Sequence, residues 1–107
     1  MKFLDLARQA SYESTAIQQK MAAVVVRGGK VISIGINLKN KHAEARALRP
    51  HLDLEDCDIY VMRSNGRISR PCKDCQALII AAGIRRAFYI ALDGSMVKET
   101  FGNNNSV

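Results

Sequence analysis

His42-Ala43-Glu44 and, 27 residues after Glu44, Pro71-Cys72-Lys73-Asp74-Cys75 are the two short stretches on which the reading of this chain turns. One histidine and a C-x-x-C pair supply three ligands for a borderline metal ion, with Glu44 as an extra carboxylate. A structural zinc site closes with four protein ligands, whereas a hydrolytic site keeps one position open for water. Ligation by His42, Cys72 and Cys75 leaves that fourth position free, which suits a catalytic zinc, one per chain. Cys72 and Cys75 stand three apart, on one face of a helix, so both sulfurs can reach one ion. Pro71 comes just before them, where a missing N–H costs little at a helix start. Thiolates are the ligating form, and a helix N-terminus favours negative charge there. Glu44 is expected to move protons rather than to touch the metal.

Working outward, Val24-Val25-Val26 and Val31-Ile32-Ser33-Ile34 are β-branched runs joined by Arg27-Gly28-Gly29-Lys30. The paired glycines supply the positive φ of a tight hairpin turn. Residues 3–16 place Phe3, Leu6, Ala7 and Ala10 at helical spacing, predicting an amphipathic helix over one face of a sheet. A second helix is expected from near His42 until Pro50, which cannot continue it. An acidic loop, Asp53 to Asp58, leads into a strand at Ile59–Met62. A third helix should run from about Cys72 to Ala82, followed by a strand at Ala87–Leu92. Asp93-Gly94 turns that strand back toward Met96–Phe101; so short a connection joins only antiparallel neighbours. Residues 1–102 therefore read as one domain, and 103–107 as a disordered tail.

The H-x-E…P-C-x-x-C pattern made by His42, Glu44, Pro71, Cys72 and Cys75 is the signature of zinc-dependent nucleobase deaminases. Met21 to Asn37 resembles the first β-hairpin of the cytidine and deoxycytidylate deaminase superfamily, which ends in Gly-x-Asn. Cys75 to Ile90 resembles that superfamily's second zinc helix and the strand after it. The likeness runs over roughly residues 4 to 101. It implies a three-layer α/β fold, a mixed five-stranded sheet packed by helices, with the last two strands an antiparallel hairpin as in the free-nucleoside cytidine deaminases. The first hairpin and a histidine at position 42 look more like the deoxycytidylate enzymes. The implied reaction replaces the amino group at C4 of a cytosine-type base by oxygen and releases ammonia, with Glu44 shuttling protons.

In the superfamily the residue matching Asn37 hydrogen-bonds the sugar; the plain alternative is an Asn that ends a strand and starts a turn. Ala43 and Pro71 are expected beside the base. Arg70 and Lys73, with Lys39 and Lys41 near His42, could meet a 5′-phosphate or a nucleic-acid backbone, or be ordinary surface charge. Only four residues separate Asn37 from His42, which leaves little lid, so a neighbouring subunit is expected to complete the pocket. Cys57 is read as a buried thiol rather than a fourth ligand, His51 as a surface residue, and Arg85-Arg86 as solvent-facing. Tyr60, Phe88 and Tyr89 are read chiefly as core.

The formal charge of +6 on 107 residues favours anionic partners. With no Trp and six Phe and Tyr together, stacking platforms for single strands are thinly provided. The favoured substrate is therefore a free nucleoside or nucleotide: cytidine, deoxycytidine, CMP or dCMP. A deaminase of single-stranded DNA or RNA, and a non-catalytic zinc-stabilised interaction domain, are the lesser alternatives. No apolar run approaches the ~20 residues of a membrane span. Three cysteines make no disulfide framework, which points to the cytoplasm.

Overall fold

The computed structural model describes residues 2–14, 20–37, 42–49 and 53–101. They form α1 (Lys2–Ser11), β1 (Met21–Arg27), β2 (Lys30–Ile36), α2 (Ala43–Ala47), β3 (Asp58–Arg63), α3 (Lys73–Ala81), β4 (Arg86–Ile90) and β5 (Met96–Thr100). The strands make one mixed sheet in the order β2-β1-β3-β4-β5. β1 runs antiparallel to β2 and β3, β3 runs parallel to β4, and β5 returns antiparallel to β4.

Strand alternation sorts the side chains into two cores. Val24, Val26, Tyr60, Met62, Phe88 and Ile90 point to one face, where Leu4 and Ala7 of α1 cover them. Ala23, Val25, Ile59, Val61, Ala87 and Tyr89 point to the other, under α2 and α3. Each fully buried Val or Ile contributes roughly 1.5–3 kcal/mol, so the central strands β1 and β3 carry much of the stability. Tyr60 stacks on Phe88 with ring centroids 4.4 Å apart, and Phe3 tilts against Tyr60 at 5.3 Å. The expected core role of the three strand aromatics holds.

Gly28 and Gly29 adopt φ of 56° and 78°, as the turn between β1 and β2 requires. The glycine of greatest consequence is Gly35. A Cβ there would lie 2.3 Å from the Ala47 nitrogen and 2.4 Å from the Ala43 oxygen, so α2 rests directly on the backbone of β2. Ser33 Oγ adds a hydrogen bond to the Ala47 carbonyl at 2.8 Å.

Several boundaries differ from expectation. α1 ends at Ser11 rather than residue 16, and Leu4 and Ser11 replace Ala10 on its buried face. There the Ser11 hydroxyl donates to the Arg8 carbonyl, and turn bonds at Tyr12 and Glu13 follow. α2 has only five residues and ends before Arg49, where Arg49 N–H bonds the Ala47 carbonyl. Asp58 belongs to β3 rather than to the acidic loop, and Arg86 is not solvent-facing. Its guanidinium grips Asp58 through two bonds of 3.0 and 2.7 Å, and Arg85 stands 3.7 Å from the same carboxylate. The β4–β5 connection spans residues 91–95 rather than two residues, closed by Ala91 N–H to the Ser95 carbonyl at 2.9 Å. The readings placed on Lys39, Lys41, Pro50, His51 and the tail 103–107 lie outside the described residues.

Candidate active site

Both helices that carry the motif begin at the same end of the sheet. His42 is the N-cap residue of α2 and Cys72 that of α3, each with extended backbone (ψ of 152° and 170°) before the first helical turn. Because α2 is pressed onto Gly35 and tied through Ser33, the place of His42 and Glu44 is set by β2.

The other half of the motif is held by a residue that the sequence analysis passed over. Ser69 is fully buried where β3 and β4, paired only from Asp58↔Arg86 to Tyr60↔Phe88, move apart. Its hydroxyl donates to the Val61 carbonyl at 2.7 Å and accepts from Ile90 N–H at 2.9 Å. Its own N–H bonds the Ile90 carbonyl at 2.9 Å. Ser69 therefore latches the loop to both strands three residues before Cys72. Replacing Ser69 by Ala leaves a buried carbonyl and a buried N–H without partners, at a cost of about 1–3 kcal/mol each. Urea unfolding should show a lower midpoint with unchanged slope; an unchanged midpoint would contradict the latch.

With both halves held, the ligand atoms of His42, Cys72 and Cys75 lie within 4.8 Å of one another. His42 Nδ1 is 3.9 Å from Cys72 Sγ. Zinc bonds of ~2.0–2.3 Å at tetrahedral angles set ligand atoms roughly 3.5–3.8 Å apart, so a small inward closure suffices. The donor set, one imidazole and two thiols, fits zinc. Cys72 and His42 are exposed while Cys75 is buried, so one side of the group opens to solvent. Burial pushes the Cys75 thiol well above its ordinary range, and the nearby Glu44 and Cys72 add to the shift. The thiol thus keeps its proton until a metal takes its place. Cys57 is outside this group, sealed in the core below α3 as a buried thiol.

Glu44 is 2% exposed, an unusual place for a carboxylate. Burial raises its pKa above 4.5, opposed by a backbone hydrogen bond, by His42 and by contact with the Cys75 thiol. An acid beside the ligand group with its affinity for protons moved up is suited to take and return them.

The other predicted site residues fall into two groups. Ala43 and Pro71 are buried at the two helix starts, and Gln76 Nε2 donates to the Pro71 carbonyl at 2.8 Å. Asn37 directly follows β2, half-buried, with its Oδ1 accepting from Met21 N–H at 2.9 Å and meeting the Ser14 hydroxyl at 2.5 Å. Its amide oxygen therefore ties β2 to β1. Lys73 is the exposed first residue of α3. Arg70 is exposed and lies against the Tyr89 hydroxyl, which donates to Glu99 at 2.7 Å.

The chain belongs to the cytidine and deoxycytidylate deaminases: the zinc-binding region of that family matches residues 1–91. Among solved structures, the dCMP deaminase of cyanophage S-TIM5, in complex with dCMP and dUMP, is similar with a TM-score of 0.66 at 20% identity. That match covers 80% of this chain and 76% of the phage enzyme. A diaminohydroxyphosphoribosylaminopyrimidine deaminase/5-amino-6-(5-phosphoribosylamino)uracil reductase from Thermotoga maritima gives a TM-score of 0.63 at 22% identity, over 80% of this chain and 27% of that one. RibD of Acinetobacter baumannii gives 0.64 at 19% identity, over 80% and 26%. The chain thus spans about a quarter of the length of these last two proteins. These likenesses show the mixed five-stranded sheet with helices on both faces to be a deaminase fold, within which β4 and β5 of this chain form an antiparallel hairpin. None of the described helices is long and apolar enough to cross a membrane.

Proposed function

We propose that this protein is a hydrolytic deaminase that converts a cytosine-type base to its uracil-type product, acting on a free nucleoside or nucleotide. The observation that carries the reading is a buried Glu44 beside a three-ligand group with one open side. His42, Cys72 and Cys75 hold a single zinc ion, which when bound lowers the pKa of water from 15.7 to about 7. Glu44 accepts the proton of the water that adds to C4. It passes that proton to the ring nitrogen, then takes the proton of the new C4 hydroxyl and hands it to the departing amine, so that the C–N bond breaks, ammonia leaves and the carbonyl forms. Ala43 and Pro71 frame the base. Asn37 stands toward the sugar, and Arg70 and Lys73 add positive charge at the rim.

Residues 1–102 act as one domain in this reading, in the cytoplasm, where the unpaired cysteines remain thiols. Assembly of several copies is supported by α3, whose Leu78 and Ile80 are 47% and 55% exposed. The test is an ammonia-release screen of free bases, nucleosides, monophosphates and short single strands, run on zinc-loaded protein with a chelated control. Release from cytidine-type nucleosides or nucleotides, lost on chelation, is the expected result. Release from single strands alone would replace the small-molecule reading, and no release from any substrate would remove the enzymatic one.

A further inference from the structure

Arg63 ends β3 in a position that the ordinary demands of folding do not explain. Its Nε is buried and has no hydrogen-bond partner among the described residues, and no ion pair to its guanidinium is found there. A guanidinium keeps its charge at every accessible pH, so a buried N–H on it is costly unless an acceptor arrives.

The backbone places this group on the site's side of the sheet. Ile59 and Val61 belong to the core under α2 and α3, and alternation carries Arg63 onto that same face. Arg63 pairs with Met21, whose N–H is held by Asn37, the last described residue before His42. Arg63 stands two residues beyond Val61, whose carbonyl receives the Ser69 latch, and Cys72 follows Ser69 by three. Asn37 and the Ser69 latch that precedes Cys72 are therefore both tied to strand positions within two residues of Arg63 or its partner Met21.

The backbone around Arg63 is also well tied. Gly66 N–H bonds its carbonyl at 3.0 Å and Ser64 N–H bonds the Lys20 carbonyl at 2.9 Å. Arg8 Nε donates to the Ser64 carbonyl at 3.0 Å. A fixed planar fork of donors matches a carboxylate or a phosphate through two parallel bonds. In a pyrimidine nucleotide the base and sugar are neutral, so the phosphate is the group that answers a full positive charge.

We propose that Arg63 is a specificity-determining residue that receives the 5′-phosphate of the substrate, making this a nucleoside-monophosphate deaminase. The proposal rests on the deaminase reading and narrows it. It also transfers the anion contact from Arg70, which lies against Tyr89, to a side chain whose Nε has no partner among the described residues.

The test compares CMP and dCMP with cytidine and deoxycytidine on zinc-loaded wild-type protein, Arg63→Met and Arg63→Lys. Methionine keeps the apolar stem, and lysine keeps the charge without the fork. Wild-type protein should favour monophosphates. Arg63→Met should raise their KM about tenfold or more and leave the KM of the nucleosides unchanged, and Arg63→Lys should recover part of the loss. A merely structural role predicts equal losses on both classes, and that result overturns the proposal, as does wild-type protein that uses nucleosides as well as monophosphates. If no substrate releases ammonia, the deaminase reading fails by itself. Isothermal titration of CMP against cytidine then decides the Arg63 contact: CMP binding unweakened in Arg63→Met overturns it. Should Arg63→Met not fold, Arg63→Lys carries the comparison, and monophosphate KM equal to wild type overturns the proposal.

Discussion

Glu44→Gln is expected to lower turnover by at least about 10²–10⁴-fold, the range spanned by positioned acid–base groups, while zinc content per chain stays at the wild-type level. The separation follows from the geometry: the ligand group consists of His42, Cys72 and Cys75, and Glu44 adjoins it as a buried carboxylate outside it. Ammonia release and metal analysis on the same preparation check both halves. Zinc lost together with activity would mean that the carboxylate is itself a ligand. A second signature comes from stability without metal. Burial raises the folded pKa of Glu44 above the 4.5 of an ordinary glutamate, so the folded state holds its proton more tightly than the unfolded chain. Its contribution is fully present below 4.5 and is lost as pH rises through the folded pKa. Metal-free wild-type protein should therefore lose stability relative to Glu44→Gln over that rise, and denaturant midpoints at a series of pH values measure it.

Gly35→Val should be the most damaging substitution outside the ligand group. Even a single Cβ would stand 2.3 Å from the Ala47 nitrogen and 2.8 Å from the Arg46 carbonyl carbon, both backbone atoms that cannot rotate away. Overpacking against side chains costs about 1–3 kcal/mol, and displacement of a whole helix exceeds that. For a chain of this size each kcal/mol lowers Tm by about 4–8 °C, so thermal unfolding should fall by more than about 10 °C. Because α2 carries Glu44 and follows His42, any folded remainder should also bind zinc weakly. Wild-type Tm in Gly35→Val would show that α2 is not seated on β2 as described. Gly35→Ala is the milder version and should fall between the two.

The residues that come together as a candidate metal site, His42, Cys72 and Cys75, were legible in the sequence because metal ligation needs particular atoms at short spacings. Cys72 and Cys75 declare themselves locally, and β-branched runs around Gly28-Gly29 announce the first hairpin. What the sequence hid was long-range. The bonds from Ser69 reach 8 and 21 residues away, to Val61 and Ile90, and a serine in a polar loop gives no sign of them. The register of α1 was missed because Leu6 and Ala10 share helical spacing with the residues that are buried; packing against Tyr60 and Met62 selected Leu4 instead. Arg86 looked solvated beside Arg85 until parallel pairing of β3 with β4 set it opposite Asp58. For Arg63 a signal did exist: it continues the alternation of Ile59 and Val61, and a cation at an apolar position of a strand invites the question of what it meets.

The clamps at the two ends of the loop after β3 have a consequence for engineering. Ser64 is bound by Arg8 and Lys20, and Ser69 by the two diverging strands, so Asn65 to Ile68 form an excursion whose ends are already anchored. Extra residues spliced between those anchors would lengthen only the bulging arc. That arc is a natural port for a peptide tag or a fluorophore, installed a short way from the chemistry yet mechanically insulated from it.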